Sequence, residues 1–152
     1  MRKDNRDALL KLMDGFSEAF DREDIDDVMS YFAEDAVYDE FHGIRHVGKT
    51  AIREALIPQF RHEFGKLIFH FEDQFVEVGE GKGTGKIMFR WLMTMENGDR
   101  AGGWRGLDLL HFKDGLLTHK LTYAKAKTPV VDKKENSERI RRAIDEGVLI
   151  AL

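Results

Sequence analysis

The sequence predicts an α+β fold, with helices first and a meander of long strands after them. Three observations carry this. Before residue 60, apolar residues recur at spacings of three and four. From residue 67 to 124 they alternate with polar ones. Glycine-bearing turns separate the alternating runs. Helices followed by strands point to N-terminal helices packed in one curved, mostly antiparallel sheet.

The elements follow in order. Leu9, Leu12, Met13, Phe16, Ala19 and Phe20 predict a helix from Asp7 to Phe20. Asp24 is placed to cap a second helix carrying Ile25, Val28, Tyr31 and Phe32 on one stripe. A short strand is expected over 36–41. Thr50 is placed to cap a third helix with Ile52, Ala55 and Leu56 inward, kinked or interrupted at Pro58. A last turn carries Phe60 and Phe64 before Gly65. Long strands are expected over 67–78, 86–95, 104–112 and 116–124. Gly79 to Gly85 forms a flexible connection, and Asn97-Gly98 and Asp114-Gly115 mark hairpins.

At 152 residues, one domain with a real core is expected. Its bounds are 1–128. A C-terminal extension, 129–152, is expected to form a short docking helix with Ile140, Ile144 and Val148 on one side. The net charge of −4 argues against nucleic acid and against a polybasic membrane surface as partners. No apolar run of transmembrane length occurs, and the first residues lack a signal-peptide core. The absence of cysteine excludes disulfides, thiolate nucleophiles and cysteine zinc sites. Together these lead us to expect a cytoplasmic protein.

Trp104, Gly106, Asp108, Leu110 and Phe112 share one strand face. One carboxylate thus stands in a row of apolar side chains. It either finds a buried partner or is held protonated by desolvation. Such acids are frequent at functional sites, although structural ion pairs perturb carboxylates too. Ile87, Phe89, Trp91 and Met93 alternate on the strand before it, and Phe69 and Phe71 on the one before that. Core packing explains most of these, and some are left to line a cavity.

The chain resembles a family at five places in order. They are Ala19-Phe-Asp-Arg-Glu-Asp-Ile-Asp26, Tyr31-Phe-Ala-Glu-Asp-Ala-Val-Tyr-Asp-Glu40, Gly48-Lys-Thr-Ala-Ile-Arg53, Trp104-Arg-Gly-Leu-Asp-Leu-Leu-His-Phe112, and Asp114-Gly115. Over residues 8 to 124 these are similar to SnoaL-like and ketosteroid-isomerase-like members of the NTF2-like superfamily. The resemblance implies a cone-shaped α+β barrel with a deep apolar pocket, commonly a homodimer. In ketosteroid isomerase a carboxylate base works against a tyrosine and a protonated aspartic acid. By resemblance Asp108 falls at the protonated acid and Glu40 at the base, with Asp39 beside it. The tyrosine position is Phe16, which has no hydroxyl. Losing one such donor costs about a hundredfold to a thousandfold in rate.

These readings give the catalytic candidates Glu40, Asp39 and Asp108, with His119, Tyr38 and Tyr123 behind them. Only one of Asp39 and Glu40 should enter the pocket, because strand neighbours point to opposite faces. Leu117, His119, Leu121 and Tyr123 share a strand face, so His119 and Tyr123 are expected to line the cavity together. The ligand-binding candidates are Phe16, Phe20, Phe32, Phe60, Trp91, Met93, Trp104 and Leu110. No metal site and no cofactor are expected, since His42 and His46 flank a loop without a third placed ligand. Gly43-Ile-Arg-His-Val-Gly-Lys-Thr50 has the spacing of a phosphate loop, but its interior is bulky and no parallel β/α units surround it. The expected function is a cofactor-independent isomerase, cyclase or dehydratase acting on a small hydrophobic carbonyl compound by proton transfer. Two other readings stay open. One is a non-catalytic ligand-binding or dimerisation domain. The other is an epoxide-hydrolase-like enzyme, which needs an arginine between two carboxylates.

Overall fold

The structure, a computed structural model, describes residues 2–125 together with Glu135, Glu138 and Arg142. Three helices and six strands are described: α1 (Arg2–Asp21), α2 (Ile25–Ser30), β1 (Phe32–Asp39), β2 (Arg45–Val47), α3 (Lys49–Phe60), β3 (Lys66–Val78), β4 (Gly85–Asn97), β5 (Arg100–Lys113) and β6 (Leu116–Ala124). The strands form one curved, unclosed sheet in the order β2-β1-β6-β5-β4-β3. Every pairing is antiparallel except β1 with β6. The expected α+β class and helix-packed sheet are what the chain forms.

The helices form where their apolar stripes can be covered. On α1, Leu9, Met13, Phe16 and Ala19 are buried, one per turn, and pack with Val28, Phe32, Ile87 and Leu110 in the core. Fully burying a side chain such as Leu9 contributes about 1.5–3 kcal/mol. Asp24 caps α2 by accepting the Asp27 N–H at 3.0 Å. On α3, Gly48 rather than Thr50 holds the N-cap position. Pro58 lies within the last turn of α3, and the helix stops two residues beyond it. A proline there removes a single i→i−4 bond, so termination follows without a sharp break.

Two differences from the sequence reading shape the site. The first strand runs over Phe32–Asp39, and Glu40 instead opens the turn into β2, a short strand that pattern alone missed. Glu40 closes that turn with its own N–H to Ile44 O and its carbonyl from Gly43 N, both at 2.9 Å. The second difference is a bulge where β5 meets β6. His111 pairs with His119 but Phe112 pairs with Leu117, so Thr118 is the extra residue. Its hydroxyl donates to the His111 carbonyl at 3.2 Å. The bulge reverses which side chains of β6 face inward. The docking helix expected over 129–152 rests on Ile140, Ile144 and Val148, which lie outside the described residues.

Candidate active site

Between the helices and the concave face of the sheet lies a cavity of about 400 Å³. One wall is helical, with Met13, Phe16 and Phe20 from α1 and Leu56 from α3. The other is the aromatic inner face of β3, β4 and β5. Phe69 meets Trp91 edge-on at 5.3 Å, and Trp104 packs against Phe41 at 5.4 Å.

A polar network occupies the sheet side. Asp108 Oδ1 accepts from Lys120 Nζ at 3.0 Å and from the Thr122 hydroxyl at 2.5 Å. Its Oδ2 accepts from the Trp91 indole N–H at 3.2 Å. Lys120 also donates to Thr122 Oγ1 at 2.9 Å, and its ammonium lies 4.6 Å from the centre of the Tyr38 ring. The register explains the grouping. Tyr38 pairs with Lys120, Thr122 with Asp108, and Trp91 with Gly106. Gly106 is required by that last contact. A Cβ there would meet the Trp91 ring at 2.4 Å and the Tyr123 carbonyl at 2.4 Å. The bare glycine lets the indole lie across β5 and turn its N–H toward Asp108.

Burial would lower the Lys120 ammonium, but Asp108, Tyr38 and Glu40 outweigh it and the ammonium titrates above its ordinary value. Burial pushes the Tyr38 hydroxyl up, with Lys120 pulling it part of the way back. Tyr38 is therefore a protonated phenol at neutral pH and a hydrogen-bond donor.

At the other end of Tyr38's face stands Glu40. Its Oε2 lies 2.5 Å from His42 Nε2, and its Oε1 lies 2.8 Å from His46 Nε2. The Ile44 N–H donates to His42 Nδ1 at 3.3 Å, which leaves the His42 ring proton on Nε2, directed at Glu40. Asp39 points the other way and is held by Arg45 through two hydrogen bonds of 2.7 and 2.9 Å.

Residues 13–120 match the SnoaL-like domain family. The chain belongs to that family. No curated protein matches the sequence. Solved structures share the fold of this SnoaL-like domain. An NTF2-like protein of unknown function from Mesorhizobium loti is 22% identical, with a TM-score of 0.64 over 79% of this chain and 93% of that one. A protein from Xanthomonas campestris assigned as a polyketide cyclase is 18% identical, with a TM-score of 0.60 over 94% and 98%. TerC, co-crystallised with polyporic acid, is 11% identical, with a TM-score of 0.64 over 91% and 98%. At these identities the likeness is one of fold.

The SnoaL-like cavity gathers Glu40, Tyr38, Asp108, Phe16, Phe20, Trp91, Met93 and Trp104. It does not gather the others. His119 stacks near His111 at 5.0 Å on the opposite face, and Tyr123 is 56% exposed. The bulge at Thr118 is the reason, since it turns Lys120 and Thr122 inward in their place. Asp39 is drawn outward by Arg45. Phe32 and Leu110 are buried in the helix–sheet core, and Phe60 packs on Phe20 beside a second, smaller hollow. Asp108 accepts from three side chains, Lys120 among them, so of the two alternatives the sequence left open the structure shows a buried partner. Arg105 and Arg90 both turn to Glu72, and no arginine lines the cavity among the described residues. Sequence reasoning missed Lys120 and Thr122, and it missed His42 and His46 as partners of Glu40. The one available signal was a lysine two residues from a threonine within an otherwise packable strand.

Proposed function

We propose that this SnoaL-like domain is a cofactor-independent enzyme that moves a proton on a flat, hydrophobic carbonyl compound, as an isomerase or cyclase. The observation that carries the reading is the pairing of Glu40 with Tyr38. They stand two residues apart, Tyr38 on β1 and Glu40 just beyond its end, a base and a protonated donor that both line the same apolar cavity. The carbonyl oxygen would accept a hydrogen bond from the Tyr38 O–H. Glu40 would take the proton from the adjacent carbon, forming an enolate whose oxygen is stabilised by that hydrogen bond, and would return the proton at another carbon. His42 and His46 hold the Glu40 carboxylate in one orientation. Asp108 and Lys120 touch no proton in this scheme and fix the wall behind Tyr38. The membership in the SnoaL-like family and the cyclase assignment of the Xanthomonas campestris relative support the reaction class.

The test is deuterium exchange. Aromatic enones and β-hydroxy-ketones are incubated with the protein in deuterated water and followed by proton NMR. Exchange at the carbon beside the carbonyl is expected, slowed about 10²–10⁴-fold in Glu40→Gln. Exchange at an unchanged rate in Glu40→Gln would overturn the assignment. Tight binding with no exchange would make the domain a ligand carrier.

A further inference from the structure

The polar wall of the cavity has spent its donors on its own carboxylates. Lys120 donates to Asp108 and Thr122 and faces the Tyr38 ring. Thr122 and Trp91 both donate to Asp108. His42 and His46 both turn to Glu40. Three carboxylates line the cavity, Asp21, Glu40 and Asp108, against one cation among the described residues, Lys120. The remaining donors among the lining side chains are neutral ones, on Ser17, Gln59 and Tyr38, the last within hydrogen-bond reach of Thr122.

An anionic ligand entering this space would lose its hydration and meet a surplus of negative charge. A ligand hydroxyl or N–H would instead find acceptor capacity. A carboxylate has about four lone-pair sites, and Asp108 Oδ2 accepts only the Trp91 indole. The aromatic side chains of the inner sheet face, Phe69, Phe71, Phe89 and Trp91, pack on one another and give a flat molecule an apolar wall to lie against.

We propose that the cavity takes an uncharged aromatic ligand bringing its own hydroxyl or N–H donor, and rejects carboxylates of the same shape. This names the substrate class for the site read above and rests on the same cavity, though not on its catalysis.

Isothermal titration of the full chain with three matched naphthalenes tests it. They are 6-acetyl-2-naphthol, its methyl ether, and 6-hydroxy-2-naphthoic acid. The acetyl naphthol is expected to bind about tenfold or more tighter than the acid, since like charge opposes the acid in a low-dielectric site. It should also bind more tightly than the ether, which lacks the donor. In Asp21→Asn/Glu40→Gln the gap between the naphthol and the acid should narrow. Wild-type protein that binds the acid as tightly as the naphthol, or does not bind the naphthol at millimolar concentration, overturns the proposal. So does a gap that the double variant leaves unchanged in a folded protein. Binding of the naphthol without proton exchange would defeat the catalytic reading and leave this one standing.

Discussion

Lys120 and Asp108 form an ion pair on the inner face of the sheet, Nζ 3.0 Å from Oδ1, with 9% and 13% of their side chains exposed. Removing one partner of such a pair leaves a buried charge without compensation, at a cost of about 3–5 kcal/mol. Lys120→Met should therefore lower unfolding stability by about that amount in urea denaturation. Lys120→Met/Asp108→Asn should recover at least half of the loss, because the charge left behind is gone. A single variant as stable as the parent would show that solvent reaches the pair.

The same network sets an alkaline limit. Burial works against the Lys120 charge but Asp108 outweighs it, so the folded ammonium titrates above its ordinary value of 10.5. The Tyr38 hydroxyl, raised chiefly by burial, titrates above 10.0. Both groups hold their protons to higher pH in the folded chain than in the unfolded one. Their contribution is full below the unfolded values and is lost as pH rises through the folded ones. The melting temperature should fall from about pH 10 upward. The fall should be shallower in Lys120→Met/Tyr38→Phe, measured by thermal circular dichroism from pH 8 to 11.5.

Gly106→Ala places a methyl group against the Trp91 ring and the Tyr123 carbonyl, each 2.4 Å from an ideal Cβ. The carbonyl belongs to the neighbouring strand and has little room to yield, so the indole must tilt. Overpacking of this kind costs about 1–3 kcal/mol. The Trp91 N–H bond to Asp108 should break at the same time. In a Trp104→Phe background, a shifted Trp91 emission maximum reports the tilt, and an unchanged spectrum with unchanged stability refutes it.

Tyr38→Phe removes the donor assigned to the carbonyl oxygen while keeping the ring beneath Lys120. Exchange of the substrate proton should slow about 10²–10³-fold with the fold intact. A loss of binding alone, with exchange unchanged at saturation, would place the hydroxyl in recognition instead of in the reaction.

The histidines offer a direct check on the base. His42 is expected to carry its proton on Nε2, because the Ile44 N–H occupies Nδ1. Nitrogen-15 NMR of the imidazole rings reads the tautomer. A proton on Nδ1 of neutral His42 would mean that the Glu40 clamp is not formed in solution.

The sequence alone determined the helices-then-strands order, the core stripe of α1, the Asp24 cap and the inward face of β5 carrying Asp108. These are local consequences of period and capping, visible wherever one side chain follows another at a fixed spacing. By resemblance it put Glu40 at the position of the base, and it left open which of Asp39 and Glu40 enters the pocket. What the tertiary structure decided was everything that depends on a strand's partner. The extra residue Thr118 exists only relative to β5, yet it sends His119 and Tyr123 out and brings Lys120 and Thr122 in. The state of Asp108 depends on a lysine one strand away, and so sequence left it open between a paired carboxylate and a protonated acid. Glu40 lies just beyond its strand, and its two imidazoles come from the turn and the short strand after it, which pattern could not read. Alternation within a strand is a local property, but its phase across a sheet is set by pairing.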